Sequence, residues 1–297
     1  SQHPSLASYL DRFPARQYRV NSDDKELFLR FSACFGQFLM LHDSIFSYKQ
    51  LPVKLYELTR YSFRREKSGE LVGLRRLRAF TMPDCHAMCK DIDEAKKEII
   101  TRFELSRKIL NEIGFNDTDY VLAIRTTEEF FNQNQIFIKQ LAQTWNKPIF
   151  LEIWKEKFFY FIFKWEFNFI DNLGKASALS TDQIDVENAK RYDITYIDEK
   201  GDKIHPIILH NSPSGAIERC IYALLEKAAK VQMEGKTPSI PFWLCPTQIR
   251  IIPLSRDFHD VSLGYLEELS SSGLRVDFDD RDLSVGKKVR EAEKEGL

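Results

Sequence analysis

The sequence predicts an α+β fold, a mostly antiparallel sheet flanked by helices, on three observations. Segments 157–171, 175–186, 191–197 and 204–209 read as successive strands separated by short polar turns. Segments 91–113 and 126–144 instead carry apolar residues at helical spacing. Strands grouped with strands in this way argue against a doubly wound parallel sheet. Finally, Glu234-Gly235-Lys236-Thr237-Pro238 has the turn chemistry of a linker, and the order beyond it is βαβα. A main domain over 1–236 and the start of a second, α/β domain over 237–297 are therefore expected.

From the N-terminus, an irregular start gives way to a helix expected over 24–42, whose apolar residues recur at helical spacing. Residues 55–89 alternate as a hairpin around Lys67-Ser68-Gly69-Glu70. Asp91-Ile92-Asp93-Glu94 has the form of a capping box. The helix it opens carries Ile92, Ala95, Ile99, Phe103, Leu110 and Ile113 along one stripe and stops at Gly114. A strand over 120–125 precedes the helix over 126–144. The four strands follow, then a helix over 216–233. Beyond the linker come a strand within 241–255, a helix over 260–270, a strand over 274–278 and a helix from Val285. There is no internal repeat or low-complexity tract.

With 297 residues, 43% of them hydrophobic, the chain can bury one substantial core and part of a second. Its 43 basic and 44 acidic residues nearly cancel, so overall charge does not advertise a nucleic-acid partner and any such affinity must come from local patches. One patch is visible in Arg60, Arg64, Arg65, Lys67, Arg75, Arg76 and Arg78, which taken by itself reads first as a solvated charged hairpin. Five cysteines without an even framework suit a reducing compartment, where Cys34 is a thiolate ligand or an ordinary buried thiol. The N-terminus lacks a signal-peptide pattern, and the most apolar run, 158–170, is shorter than the roughly 20 residues of a membrane span. A cytoplasmic protein without a membrane partner is expected.

The most informative stretch is 63–86, FRREKSGELVGLRRLRAFTMPDCH. On two adjacent extended strands, period two would set Arg64 and Glu66 on one face, with Arg76, Phe80 and Asp84 on the same side of the returning strand. Such a face offers cations for a polyphosphate, a ring for a flat base and carboxylates for amino or hydroxyl groups. It has the makings of a nucleotide site built on a sheet.

The pattern FRxE, loop, RxxxFxxxD resembles motif 2 of the class II aminoacyl-tRNA synthetases. Segment 210–226, HNSPSGAIERCIYALLE, resembles motif 3, a small-residue turn followed by a helix that carries an ATP-binding arginine, here Arg219. Cys34 in SACFGQF, His86 in DCHAMC and His210 in ILHNSP fall where threonyl-tRNA synthetases carry a zinc ligand, so the resemblance is to the archaeal type of that family. Segment 237–297 is similar to the start of the anticodon-binding domain shared by the threonyl, prolyl, glycyl and histidyl enzymes. Motif 1, which builds the family's dimer interface, and the later strands of the anticodon domain are not seen, so the chain is expected to be a fragment.

The resemblance implies a role for each matching residue. Arg64 would meet the α-phosphate of ATP, Glu66 the adenine, Arg76 and Arg219 the outer phosphates, and Phe80 would stack on the base. Asp84 would orient the substrate hydroxyl, while Lys164 and Gln183 match polar positions of the same pocket. Cys34, His86 and His210 would hold one Zn2+ per chain, with coordination positions left open for the amino group and hydroxyl of threonine. His3, in Ser1-Gln2-His3, sits where the family reads Ser-Gly-His and would accept a proton from the terminal ribose of tRNA. Cys85, next to His86, should face away from it on a strand. The activity implied is ATP-dependent formation of threonyl-adenylate, with Mg2+ accompanying ATP, and transfer to tRNA(Thr); the whole protein is expected to be a homodimer. The alternatives are a prolyl or seryl enzyme of the same class, or a non-catalytic or editing-partner relative that binds tRNA.

Overall fold

The computed structural model describes residues 17–296 together with Pro4 and Ala7, and of Tyr61 and Ser62 the backbone alone. The chain divides into two compact units, Ser1–Lys227 and Ala228–Leu297.

In the first unit, β1 (Arg19–Ser22) and β2 (Lys25–Phe28) form a hairpin whose turn holds Asp23 at φ 52°, a left-handed conformation that short polar residues tolerate. Helix α1 (Cys34–His42) begins only afterwards, so the helix expected over 24–42 is confined to its last 9 residues. The misleading spacing has a physical origin. Phe28 and Phe31, outside the helix, both meet Phe35 edge-on, with centroids 5.9 and 5.0 Å away. One aromatic cluster, not one continuous helix, places these rings together.

After β3 (Phe46–Ser47), the long strands β4 (Val53–Phe63) and β5 (Ala79–Cys89) pair antiparallel, with a register shift between Arg60 and Ser62. Arg64, Glu66 and Arg76 lie in the connecting loop, so the single strand face expected for them holds only for Phe80 and Asp84. Tight turns at Ser68–Glu70 and Gly73–Arg75 fold that loop back. Helix α2 (Ile92–Glu112) is capped by Asp91, whose carboxylate accepts the Glu94 N–H at 2.8 Å, while Glu94 accepts the Lys90 N–H at 2.7 Å. It ends where Gly114 takes φ 103°.

β6 (Tyr120–Thr127) runs two residues beyond the expected strand. Thr127 then caps α3 (Glu128–Gln133), and a break at Asn134 separates it from α4 (Gln135–Trp145) where one helix was expected. β7 (Ile149–Trp154) was not anticipated. It pairs parallel with β6, and its run of six residues was too short to show a period. β8 (Phe161–Ile170) and β9 (Ala176–Asp185) match their segments. The strand expected over 191–197 is instead α5 (Asn188–Arg191) and the short β10 (Tyr196–Ile197). The reason is Asp185, whose carboxylate takes the N–H groups of Glu187 and Asn188 and starts a helical turn. β11 (Lys203–Ile204) and β12 (Ile207–Ser212) follow, and then α6 (Ile217–Met233), whose last six residues belong to the second unit.

The main sheet has seven strands in the order β4-β5-β12-β9-β8-β6-β7, antiparallel except for the last pair. Its back face carries Ala87, Leu209, Ile184, Trp165 and Ile124, fully buried beneath Ile99 and Phe103 of α2 and Leu141 of α4. Each buried large ring there contributes about 2–3 kcal/mol of transfer free energy. A buried ion pair, Arg102 to Asp182 at 3.2 Å, ties α2 to β9 on this face. The front face is polar at its centre, and α1 covers one end of it through Phe38, Met88 and Ile208.

The second unit has the order β13 (Ile249–Ile251), α7 (His259–Ser271), β14 (Val276–Phe278) and α8 (Val285–Lys294), with β13 and β14 parallel. Arg250 joins Asp277 at 2.6 Å to Glu295 at 2.7 Å.

Candidate functional site

Cross-strand register builds the front face. Directly opposed residues form one row across the sheet: Leu55, His86, His210, Gln183, Lys164, Arg125 and Glu152. Opposed residues share a face, so sites 124 positions apart in sequence become neighbours. Cys34, at the start of α1, reaches down onto this row.

The three side chains converge. Cys34 Sγ is 3.2 Å from His86 Nε2 and 3.6 Å from His210 Nδ1, and the two nitrogens are 3.0 Å apart. All three residues are buried. The donor set fits zinc, since one sulfur and two imidazoles around a tetrahedral ion would stand roughly 3.3–3.6 Å from one another. The outer nitrogens are also engaged as a metal would require. His210 Nε2 donates to Asp185 Oδ2 at 2.7 Å, and His86 Nδ1 lies 2.7 Å from Gln37 Oε1. Without a metal the two rings differ in basicity. Burial and then the charge of His210 push His86 well below its ordinary range. Burial also opposes charge on His210, but Cys34 and the Asp185 carboxylate outweigh it and lift the ring to about 10.

Beside the triad lies a cavity of about 640 Å³, and Cys34 lines both. Arg64, Arg75, Arg76 and Arg219 face it, together with Glu66, Phe80 and Tyr160. The Arg64 guanidinium stands 5.3 Å from the centre of the Phe80 ring, so a base stacking on Phe80 would take its place. Arg76 is paired with Glu66 at 3.0 Å. Arg219 gives its hydrogens to the carbonyls of Arg75 and Ala178, at 3.2 and 2.9 Å. Burial, then the neighbouring Arg64 charge, lowers its affinity for its proton. An anion entering the cavity would relieve that repulsion. Arg219 owes its position to Gly215, which has φ 78° and would bring any Cβ to 2.2 Å from the Leu179 carbonyl oxygen.

Of the residues singled out from the sequence, Arg64, Glu66, Arg76, Phe80 and Arg219 share the cavity and Cys34, His86 and His210 share the triad. Lys164 and Gln183 face each other in the row, and Asp84 is two residues from His86 on β5, opposite Glu57. His3 lies outside the described residues. Cys85 turns to the back face, where its carbonyl accepts from Arg102. Other neighbours are given no role by the resemblance. Tyr160 lines the cavity and donates to Gln183 Oε1 at 2.7 Å; Arg75 reaches Ser177 at 2.7 Å; Gln37 and Asp185 hold the histidines. Of these, Arg75 is visible in the sequence as part of the basic patch, and Gln37 stands three residues after Cys34 on one helical face.

Residues 18–228 match the model of the tRNA synthetase class II core domain (G, H, P, S and T), and residues 248–297 match that of an anticodon binding domain. Among curated proteins, the chain is 64% identical over 297 residues to a threonine–tRNA ligase of Nitrosopumilus maritimus, covering 100% of this chain and 48% of that protein. It is 57% identical over 296 residues to the one of Pyrococcus horikoshii, covering 100% and 47%. The chain thus spans about half the length of these relatives. Among solved structures, the RNA binding domain of threonyl-tRNA synthetase from Cryptosporidium parvum superposes with a TM-score of 0.78 at 24% identity, over 96% of this chain and 70% of that one. A putative threonyl-tRNA synthetase from Aeropyrum pernix gives 0.73 at 20% identity, over 96% and 66%. Those two likenesses speak to the fold, whereas the core-domain match covers most of the sequence, and with it the chain belongs to the class II tRNA synthetase family.

Proposed function

We propose that the chain is the adenylate-forming part of a threonine–tRNA ligase. The observation that carries this reading is the convergence of Cys34, His86 and His210 at the rim of an arginine-lined cavity on one sheet face. Threonine and valine are nearly isosteric, so an apolar pocket separates them weakly, while a site that engages the hydroxyl directly separates them well. A zinc ion held by Cys34, His86 and His210 would supply that engagement by taking the amino group and hydroxyl of threonine. Lys164 and Gln183 from the row of the histidines, with Asp84 two residues along β5 from His86, face the amino acid and orient it. Phe80 stacks on adenine with Glu66 beside it, and Arg64, Arg76 and Arg219 grip the phosphates together with Mg2+.

The carboxylate of threonine then attacks the α-phosphorus and pyrophosphate leaves. No side chain has to move a proton in this step, because the reacting carboxylate is already ionised; positioning and the arginine field lower the barrier. Transfer to the terminal ribose of tRNA(Thr) follows, with His3 as proton acceptor. The domain over 237–297 would meet the anticodon. A homodimer in the cytoplasm is the assembly and compartment this reading entails.

Elemental analysis of purified chain should give about one zinc per molecule. Calorimetry with non-hydrolysable aminoacyl-adenylate analogues should show the threonyl form binding on the order of 10³-fold or more tightly than the valyl form. The seryl form, short of one methyl group, should lose only about 10–200-fold. Chelation should erase the preference over valine. Equal binding of the threonyl and valyl forms by metal-loaded chain would overturn the proposal.

A further inference from the structure

The groups that hold the two imidazoles are as informative as the imidazoles themselves. We propose that Gln37 and Asp185 are positioning residues that select which nitrogen each histidine turns toward the metal, and that the neutrality of Gln37 keeps that metal electrophilic. The inference rests on a metal binding among Cys34, His86 and His210.

An imidazole ligates through a lone pair, so its other nitrogen must carry the proton and give it to an acceptor. The two rings meet this demand in opposite senses. His86 turns Nε2 inward and Nδ1 toward Gln37 Oε1, whereas His210 turns Nδ1 inward and Nε2 toward Asp185 Oδ2, each at 2.7 Å. With the other tautomer in either ring, a proton would point at Cys34 Sγ and block the ion. Neither acceptor is free to swing. Gln37 lies one turn from Cys34 on α1 and is 5% exposed; Asp185 is fully buried and pinned by the N–H groups of Glu187 and Asn188.

Two features separate this from ordinary packing. Gln37 Nε2 is buried with no hydrogen-bond partner among the described residues, which weakens the fold and which a leucine of similar size would avoid. The amide earns its place only through the oxygen on His86. The second feature is charge. A dication, the Cys34 thiolate and the Asp185 carboxylate sum to zero, and Gln37 adds nothing to that balance. A glutamate there would push electron density through His86 onto the metal, tightening its binding and weakening its pull on an incoming amine or hydroxyl.

Cobalt(II) is the probe, because its visible absorption reports both occupancy and thiolate ligation. Titrated against a competing chelator, Gln37→Leu should bind cobalt about 10–100-fold more weakly than the unsubstituted chain. Its sulfur-to-metal band should persist, and its metal-free unfolding temperature should be unchanged or raised. Gln37→Glu, which keeps the acceptor oxygen, should bind cobalt more tightly and the threonyl-adenylate analogue more weakly. Asp185→Asn, which keeps an acceptor and removes the charge, should lose at least about tenfold in cobalt affinity. Cobalt affinity unchanged in both Gln37 variants, or lost in both alongside their stability, would overturn the inference while leaving the metal site standing. If the unsubstituted chain took up no cobalt, the metal site and this inference would fall together.

Discussion

The two ends of the front face reach their geometry by different means. At the triad, two of the side chains sit on adjacent strands with locked register and the third on a helix whose next turn supplies Gln37. At the cavity, Arg64 and Arg76 lie in a loop and Arg219 in the first turn of α6; carbonyls hold Arg219, Glu66 holds Arg76, and Arg64 rests over the Phe80 ring. An ion tolerates displacements of only a few tenths of an ångström in its ligands, so regular secondary structure suits it. A nucleotide bound in the cavity would have to enter and leave, and arginines resting on temporary partners could exchange those for phosphate oxygens. If this contrast is right, damage to one end should spare the other.

Gly215→Ala is the harshest test. A methyl group there meets the Leu179 carbonyl oxygen at 2.2 Å on a backbone at φ 78° that alanine resists, a cost of about 3–5 kcal/mol in all. Chemical denaturation should show that loss. In molecules that remain folded, nucleotide binding should be abolished while the cobalt spectrum of the triad stays as before. A disturbed cobalt spectrum would mean that α6 and the strands move as one, and the contrast would fail.

The same division governed what the sequence could reveal. Strand residues obeyed period two, so Phe80, Asp84 and His86 could be placed on one side of β5 and Cys85 on the other. The alignment of His86 with His210, Gln183 and Lys164 could not be read from spacing, because register between distant strands is fixed by packing of the back face and not by any local rule. Resemblance to known motifs supplied it instead. Loop residues fared worse. Arg64 and Glu66 were assigned to a strand that ends at Phe63, and the apolar spacing of Phe28, Phe31 and Phe35 imitated a helix across a hairpin. Asp185 stayed hidden because its work is done by backbone contacts to α5 and by one ring nitrogen, neither of which leaves a pattern in sequence.

A milder intervention at the cavity is Arg219→Gln. The guanidinium now serves the carbonyls of Arg75 and Ala178, and a glutamine can satisfy one of them without offering a charge to phosphate. Losing one charge-assisted hydrogen bond is worth about 1.5–3 kcal/mol, so ATP affinity should fall roughly 10–100-fold. Metal affinity should stay within about twofold, as a cobalt titration of the same preparation would record. A matching drop in both would again count against separate construction.

Tyr160→Phe probes the seam between the ends and should have the smallest effect. Its ring lies 5.3 Å from that of His210 and its hydroxyl donates to Gln183 Oε1 at 2.7 Å, yet the same residue lines the arginine cavity. Phenylalanine preserves the ring and removes one neutral hydrogen bond, worth about 1 kcal/mol or roughly fivefold in affinity. The direction of the change carries the information. If Tyr160 acts by steadying Gln183, the threonyl-adenylate analogue should weaken about fivefold while ATP alone and cobalt bind as before. If ATP weakens to the same degree, Tyr160 belongs to the nucleotide end, and the boundary between the two constructions lies at Cys34 and not one strand further along the row.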